Sequence, residues 1–383
     1  MKKIAIYIHW PFCLSKCPYC DFNSHVSDSI DIEAWEEAYM KEIESYSYKI
    51  QNRNITSIFF GGGTPSLMPA KLVEKIINKL ASFGKITTDT EITLEANPTS
   101  VEAQKFIAFK SAGINRISIG VQSLRSSDLK FLGREHNVTE ALSAIELARK
   151  TFDRYSFDLI YARPNQSLKA WQEELKDTMK IAGGHISLYQ LTIEKGTPFY
   201  KKHSIGDFAL PDNDVAADMY NFTNEHLSDH GYNLYEISNY AKPGEECRHN
   251  LSYWHYDEYI GIGPGAHSRI QDSSVKAVMN IHAPSKWLEA VKMTGSGIQK
   301  NEPLTKQEII EEILMMGLRL KAGINDKRLC ELTHSLFKDV INQDNLKQYI
   351  ELGFVDLTNN HLRLTDKGLL MHRYLVPRLI ATT

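Results

Sequence analysis

Short apolar runs and longer amphipathic stretches alternate through the first half of the chain. Runs rich in Ile, Leu, Tyr and Phe, bounded by turn residues, predict strands at Ile4–His9, Ser57–Phe60, Glu91–Glu95, Arg116–Val121, Ser156–Tyr161 and His185–Leu191. Between them, apolar residues recur at helical spacing with charges interspersed. That pattern predicts helices over Ile32–Ile50, Pro69–Phe83, Val101–Ala112, Thr139–Lys150 and Leu168–Ile181. Strand–helix alternation repeated this way implies an α/β fold with a parallel sheet and right-handed crossovers. Six units are too few for a closed eight-stranded barrel, which leaves a curved partial barrel or an open doubly wound sheet.

The second half has a weaker pattern. A helix is expected over Asp214–Asp229 and a short strand near Asn233–Ile237, followed by loops to about residue 300. Helical periodicity returns from Thr305 through Leu320, with further helices near Lys327–Thr333 and Val340–Leu352. Two short apolar runs, Phe354–Leu357 and His361–Thr365, flank Thr358-Asn359-Asn360, a hairpin signal. Helices followed by a hairpin predict a small winged-helix-like α+β domain at the C-terminus.

Composition narrows the class. At 383 residues the chain exceeds one ordinary core, so more than one domain is expected. With 42% hydrophobic and 24% charged residues it reads as a soluble globular protein. A net charge of -3 and the absence of a basic block argue against a nucleic-acid partner. No secretion signal and no apolar run long enough to span a membrane are visible. Five cysteines, an odd number, fit reduced thiols in the cytoplasm better than a disulfide framework.

Three of those five cysteines, Cys13, Cys17 and Cys20, lie within eight residues, spaced Cys-x3-Cys-x2-Cys. Three thiolates on one short loop can hold three corners of an iron–sulfur cluster and leave one iron open to a small molecule. A zinc site is the rival, completed by His25 or His9, although zinc sites usually pair their cysteines two by two, and Cys247 and Cys330 stand alone. The cysteine loop follows the first expected strand. Other polar or glycine-rich groups follow the next ones: Gly61-Gly62-Gly63-Thr64-Pro65, Glu95-Ala-Asn97-Pro98, Gly120-Val-Gln122-Ser123, and Asp158 on the fifth strand. This strand-end edge is where parallel α/β proteins bind ligands. The glycines let a backbone approach a ligand and offer N–H groups to a carboxylate.

The cysteine spacing resembles the signature of the radical S-adenosylmethionine (SAM) superfamily. That likeness implies a [4Fe–4S] cluster whose open iron chelates SAM and whose electron cleaves it to a 5′-deoxyadenosyl radical. The strings Tyr7-Ile8-His9-Trp10-Pro11-Phe12-Cys13, Gly61–Pro65, Glu95–Pro98, Gly120–Ser123, Gly133-Arg134 and Asp158-Leu-Ile-Tyr resemble the oxygen-independent coproporphyrinogen III oxidase family over nearly the whole chain. The resemblance implies SAM contacts from Tyr7, Gly62, Gly63, Thr64, Glu95, Gln122, Arg134 and Asp158. It also implies a partial (βα)6 barrel over residues 1–210, a connecting region over 211–300 and the C-terminal domain over 301–383. Two departures from the oxidases stand out. Phe22 occupies the place of their further cysteine, and only twelve residues precede Cys13 where they carry a long extension. A third string, Cys247-Arg-His249-Asn250-Leu-Ser-Tyr253-Trp254, resembles an element of the family's heme-chaperone branch. In that branch His249 would be the heme ligand, with Cys247 the weaker candidate. The partners implied are heme as cargo, respiratory hemoproteins as recipients and an electron donor for the cluster. Such recipients are compatible with peripheral membrane association, though no amphipathic anchor is evident. The alternative is an enzyme that oxidatively decarboxylates coproporphyrinogen III. The role of Gly261-Ile-Gly263-Pro-Gly265-Ala-His267 stays open.

Overall fold

The computed structural model describes residues 2–27 and 29–381. Six strands, β1 (Lys3–Trp10), β2 (Asn54–Gly62), β3 (Glu91–Ala96), β4 (Arg116–Gln122), β5 (Arg154–Tyr161) and β6 (His185–Gln190), lie side by side and parallel, in chain order. Helices cross over between them, giving the expected α/β architecture.

A period of two runs through these strands, interrupted in β2, where Ile55 and Ile58 both enter the core at a register shift against β1. On β1, Ile4, Ile6, Ile8 and Trp10 belong to the main apolar core, which the helices cover. Tyr7 and His9 alternate with them and face the other way. The register carries that second face across the sheet: Tyr7 pairs with Phe59, Phe59 with Thr93 and Thr93 with Arg116. One step higher, Glu95 pairs with Ser118, Ser118 with Ser156, and Asp158 sits beside Ser187. The concave face is therefore polar although it is largely buried. At its base Glu91 forms an ion pair with Arg154 (2.7 Å) and accepts the backbone N–H groups of Arg248 and His249 (3.2 Å each). Burial acts to raise Glu91, but Arg116, Arg154 and these N–H groups outweigh it and hold the carboxyl below its ordinary range.

The stretch after Ile237 is not loop, as the sequence pattern suggested. Strand β7 (Tyr259–Ile262) pairs parallel with the outer edge of β1 and becomes a seventh parallel strand. Strand β8 (His267–Gln271), Val275–Asn280 and Ile298–Pro303 continue the same edge antiparallel. At the opposite edge, Asn239–Ala241 and Asn233–Glu236 add two antiparallel strands beyond β6. Among the described residues twelve strands form this one sheet. The sequence hides the added strands for physical reasons: β7 is four residues with Gly261 inside it and Gly263 after it, and Ile298–Pro303 is an exposed edge without an apolar face. A smaller departure is the helix expected over Ile32–Ile50, which breaks at Tyr46 into Ile32–Ser45 and Ser47–Ile50.

The C-terminal part has its own core, with Ile313, Leu314, Leu329, Leu362 and Leu375 packed together. Helix Lys306–Gly317 begins at a capping box between Thr305 and Glu308. The hairpin joining Val355–Thr358 to His361–Leu364 turns at Asn359 and Asn360, both at positive φ (52° and 58°), as a tight primed turn requires. No helix among the described residues is long and apolar enough to cross a membrane.

Candidate functional site

The C-terminal ends of β1 to β5 surround an open cleft, the edge at which parallel α/β proteins bind ligands. Its rim is the cysteine loop. Gly63 and Thr64 donate their backbone N–H groups to Trp10 O (2.6 Å) and Phe12 O (2.8 Å). These amides, expected from sequence to face a ligand carboxylate, instead bind the cysteine loop to the end of β2. The closeness explains the glycines. A Cβ on Gly63 would lie 2.6 Å from Phe12 O, and Gly62 adopts φ +114°.

A belt of hydrogen bonds then crosses four strand ends. Thr64 Oγ1 donates to Cys13 Sγ (3.3 Å), and Asn97 Nδ2 donates to Thr64 Oγ1 (3.3 Å). Arg134 reaches Asn97 Oδ1 (2.6 Å), Gly120 O (2.9 Å) and Cys17 Sγ (3.3 Å). Its Nε is buried without a partner. A guanidinium beside a cysteine sulfur, with one donor to spare, suits a site for anionic sulfur ligands and a carboxylate-bearing ligand. Lys16 closes the loop from the other side by donating to Phe22 O (3.3 Å) and Ser24 O (3.1 Å). Asn97 and Lys16 were not singled out as site residues from the sequence; the string Glu95–Pro98 contained the only hint of Asn97.

The zinc alternative loses its extra ligands. His9 Nε2 hydrogen-bonds with Asn23 O (2.9 Å) and His25 Nε2 with Asn23 Oδ1 (2.8 Å). Among the described residues no three His, Cys, Asp or Glu side chains are grouped to hold a single metal ion. The corners of a cluster ask only for separate sulfurs, and Cys13, Cys17 and Cys20, all free and partly exposed at the rim, could supply them.

Gly62, Gly63, Thr64, Glu95, Gln122, Arg134 and Asp158 all line the cleft with the three cysteines. Gln122 is held there at φ +69°. Glu95 and Asp158 form the floor, enclosed by protein yet facing the opening. Burial, reinforced by the charge of Asp158, pushes the Glu95 carboxyl up to about 8, and burial pushes Asp158 up to about 6. In the folded protein Glu95 thus keeps a proton that the unfolded chain loses near 4.5. Its contribution to stability is full below that value and is lost as pH rises through about 8. Thermal melts of the cluster-free protein across this range should show Glu95→Gln gaining on wild type as pH rises. A gap that stays constant, or moves the other way, would contradict this assignment.

Tyr7 stands apart from the other expected SAM contacts. It lines a second cavity, with about 750 Å³ of empty space, that adjoins the cleft and shares Phe22, Gly62 and Glu95 with it. Tyr253, Tyr259, Ala266 and His267 complete its wall. His249, the expected heme ligand, lines neither cavity. It is 1% exposed at the start of helix Arg248–Trp254. Its Nδ1 hydrogen-bonds with Ser57 Oγ (2.9 Å) and its Nε2 with the Tyr253 hydroxyl (2.9 Å), while the ring stacks on Phe59 at 5.0 Å. Burial lowers its pKa to about 3, so the imidazole is neutral, and both of its nitrogens are hydrogen-bonded. In this structure His249 holds the Tyr253 ring at the cavity wall. Cys247 also lines neither cavity. It is fully buried against Glu91 (3.5 Å), and burial followed by the Glu91 charge pushes its thiol up to about 12.

The chain matches the radical SAM superfamily over residues 7–178 and the HemN C-terminal domain over residues 304–371. Radical S-adenosyl methionine domain-containing protein 1, mitochondrial, of Danio rerio is 35% identical over 386 aligned positions, covering 99% of this chain and 87% of that protein. The heme chaperone HemW of Escherichia coli K12 is 34% identical over 385 positions, covering 100% and 99%. Among solved structures, the coproporphyrinogen III oxidase HemN of Escherichia coli, a radical SAM enzyme, superposes with a TM-score of 0.84 at 21% identity, over 99% of this chain and 90% of that one. At that identity the likeness concerns the fold. A [4Fe–4S] cluster and SAM are the cofactors this superfamily implies, and the donor set of the cleft fits both. The chain belongs to the radical SAM superfamily, among the HemN-like proteins of the HemW branch.

Proposed function

We propose that this protein is a heme chaperone: it binds heme beside a SAM-bearing [4Fe–4S] cluster held by Cys13, Cys17 and Cys20, and passes the heme to respiratory hemoproteins. The observation that carries this reading is the tyrosine-walled cavity that adjoins the cysteine cleft and shares Phe22, Gly62 and Glu95 with it. A flat aromatic cargo needs such walls, and the shared residues let the state of one compartment be felt in the other. The name of the Escherichia coli relative points the same way.

When bound, the cluster and SAM together supply one-electron reducing chemistry. The chain's own residues have simpler tasks. Arg134 neutralises charge at Cys17 and offers its free Nε–H to a carboxylate. Glu95 and Asp158 accept hydrogen bonds from hydroxyl or ammonium groups, Glu95 releasing its proton when a cation arrives. Gly62 gives room for the ligand where the two compartments meet. Phe22, in the place of the oxidases' further cysteine, presents an apolar ring to both.

The test is an anaerobic incubation of cluster-reconstituted protein with SAM, a reductant and either heme or coproporphyrinogen III. The expected result is stoichiometric heme binding, transfer of that heme to an apo-hemoprotein, and no protoporphyrinogen. Turnover of coproporphyrinogen would replace the chaperone reading with the oxidase one.

A further inference from the structure

We infer that His267 is the axial ligand for heme iron in the second cavity. The inference rests on the heme reading above and turns to an imidazole that lines the cavity, as His249 does not.

Two imidazoles line that cavity, His9 and His267. His9 has neither nitrogen free: Nδ1 pairs with the Tyr7 hydroxyl (3.0 Å) and Nε2 with Asn23 O (2.9 Å). His267 is exposed at the mouth, and among the described residues its ring takes no hydrogen bond. Partial burial and the neighbouring Arg269 and His282 lower its pKa, which favours the neutral form that binds a metal. Tyr7, Tyr253 and Tyr259 line the same cavity, and Phe22 lines both compartments. Tyr253 packs edge-on against Tyr259 at 4.5 Å and is fixed by His249. Iron coordination on one side and tyrosine faces on the other suit a metalloporphyrin.

The backbone that carries His267 is rigid, as an iron ligand requires. The turn from β7 to β8 is so tight that a Cβ on Gly261 would lie 2.2 Å from His267 O, and one on Gly263, at φ +104°, would lie 2.5 Å from His9 O. The buried Glu42 accepts the Gly263 N–H (2.7 Å), and Asn280 N–H donates to Ala266 O (2.9 Å). Asn23, on the cysteine loop, donates to Pro264 O (3.0 Å), so the histidine turn and the cluster loop are joined directly. This accounts for the glycine-rich string whose role the sequence left open.

The full-length, cluster-loaded protein is titrated with ferric heme and, separately, with iron-free protoporphyrin IX. His267→Ala should weaken heme binding by about tenfold or more, shift the Soret band, and remove the low-spin signal in electron paramagnetic resonance. Added imidazole should restore both spectra, and affinity for iron-free porphyrin should stay unchanged. His249→Gln should leave the iron spectrum as in wild type. A wild-type heme spectrum in His267→Ala, or an equal loss for both porphyrins, would overturn the ligand assignment while leaving the chaperone reading intact. If the wild-type protein binds no heme at all, the chaperone reading falls and the assignment falls with it.

Discussion

Cys17→Ser protein, reconstituted anaerobically with iron and sulfide, should hold no cluster, while its fold and thermal stability stay close to wild type. The sulfur receives the Arg134 guanidinium at 3.3 Å and stands on a partly exposed loop at the rim of the cleft. Serine keeps the shape but offers a hard, weakly acidic oxygen in place of a soft thiolate, and soft iron sites select sulfur. The loop itself is tied down by other bonds, including the Gly63 and Thr64 amides and Lys16, so the folded protein should change by only about 0.5 kcal/mol. Cys13→Ser and Cys20→Ser should behave alike. Cys330→Ser should load fully, because that thiol lies far along the chain in the C-terminal core region. Iron and sulfide analysis with visible absorption decides the matter. A cluster retained in Cys17→Ser, or lost in Cys330→Ser, would refute the three-cysteine assignment.

Glu42→Leu should destabilise the fold by at least about 4 kcal/mol, near the upper end for a single substitution. Glu42 is completely buried and accepts from the Gly263 N–H (2.7 Å), Asn280 Nδ2 (3.1 Å), Trp287 Nε1 (3.0 Å) and the Gly297 N–H (3.0 Å). Leucine fills most of the volume but leaves four donors unpaired in a dry interior, at roughly 1–3 kcal/mol each. Glu42→Gln, which keeps one carbonyl acceptor, should lose less. Burial pushes the Glu42 carboxyl up to about 7, against these four hydrogen bonds, which pull it down. Its contribution to stability is therefore greatest below 4.5 and falls as pH rises through about 7. Denaturant unfolding at about pH 5 to 8 should show the wild-type advantage over Glu42→Leu narrowing as pH rises. Because Gly263 precedes His267 in the same turn, Glu42→Gln should also weaken heme binding without altering the iron spectrum. A loss under about 1 kcal/mol for Glu42→Leu would mean that those donors find other partners.

The parts of this molecule that were legible in the sequence are local. Strand–helix alternation, the cysteine triplet and the strand-end motifs each occupy a few consecutive residues, and the parallel topology gathers them at one edge. What escaped is built from distant partners. The four donors to Glu42 come from residues 221 to 255 positions away. The belt from Cys13 to Cys17 passes through Thr64 and Asn97, on two strand ends, and Arg134, beyond the helix that follows β4. His249 illustrates the converse. A His-Asn turn before two aromatic residues suggests a ligand, but Ser57, 192 positions earlier, takes one nitrogen and Tyr253 takes the other. His267 was hidden because β7 and β8 are short strands without a strong apolar signature, joined by a glycine-rich turn.

The most direct test of the whole account is a heme titration of the cluster-reconstituted, SAM-bound protein under anaerobic conditions, followed by mixing with an apo-hemoprotein. The account predicts saturation at stoichiometric heme, a histidine-ligated spectrum, and movement of the heme to the acceptor. Failure to bind heme, together with conversion of coproporphyrinogen III to protoporphyrinogen IX by the same preparation, would contradict it.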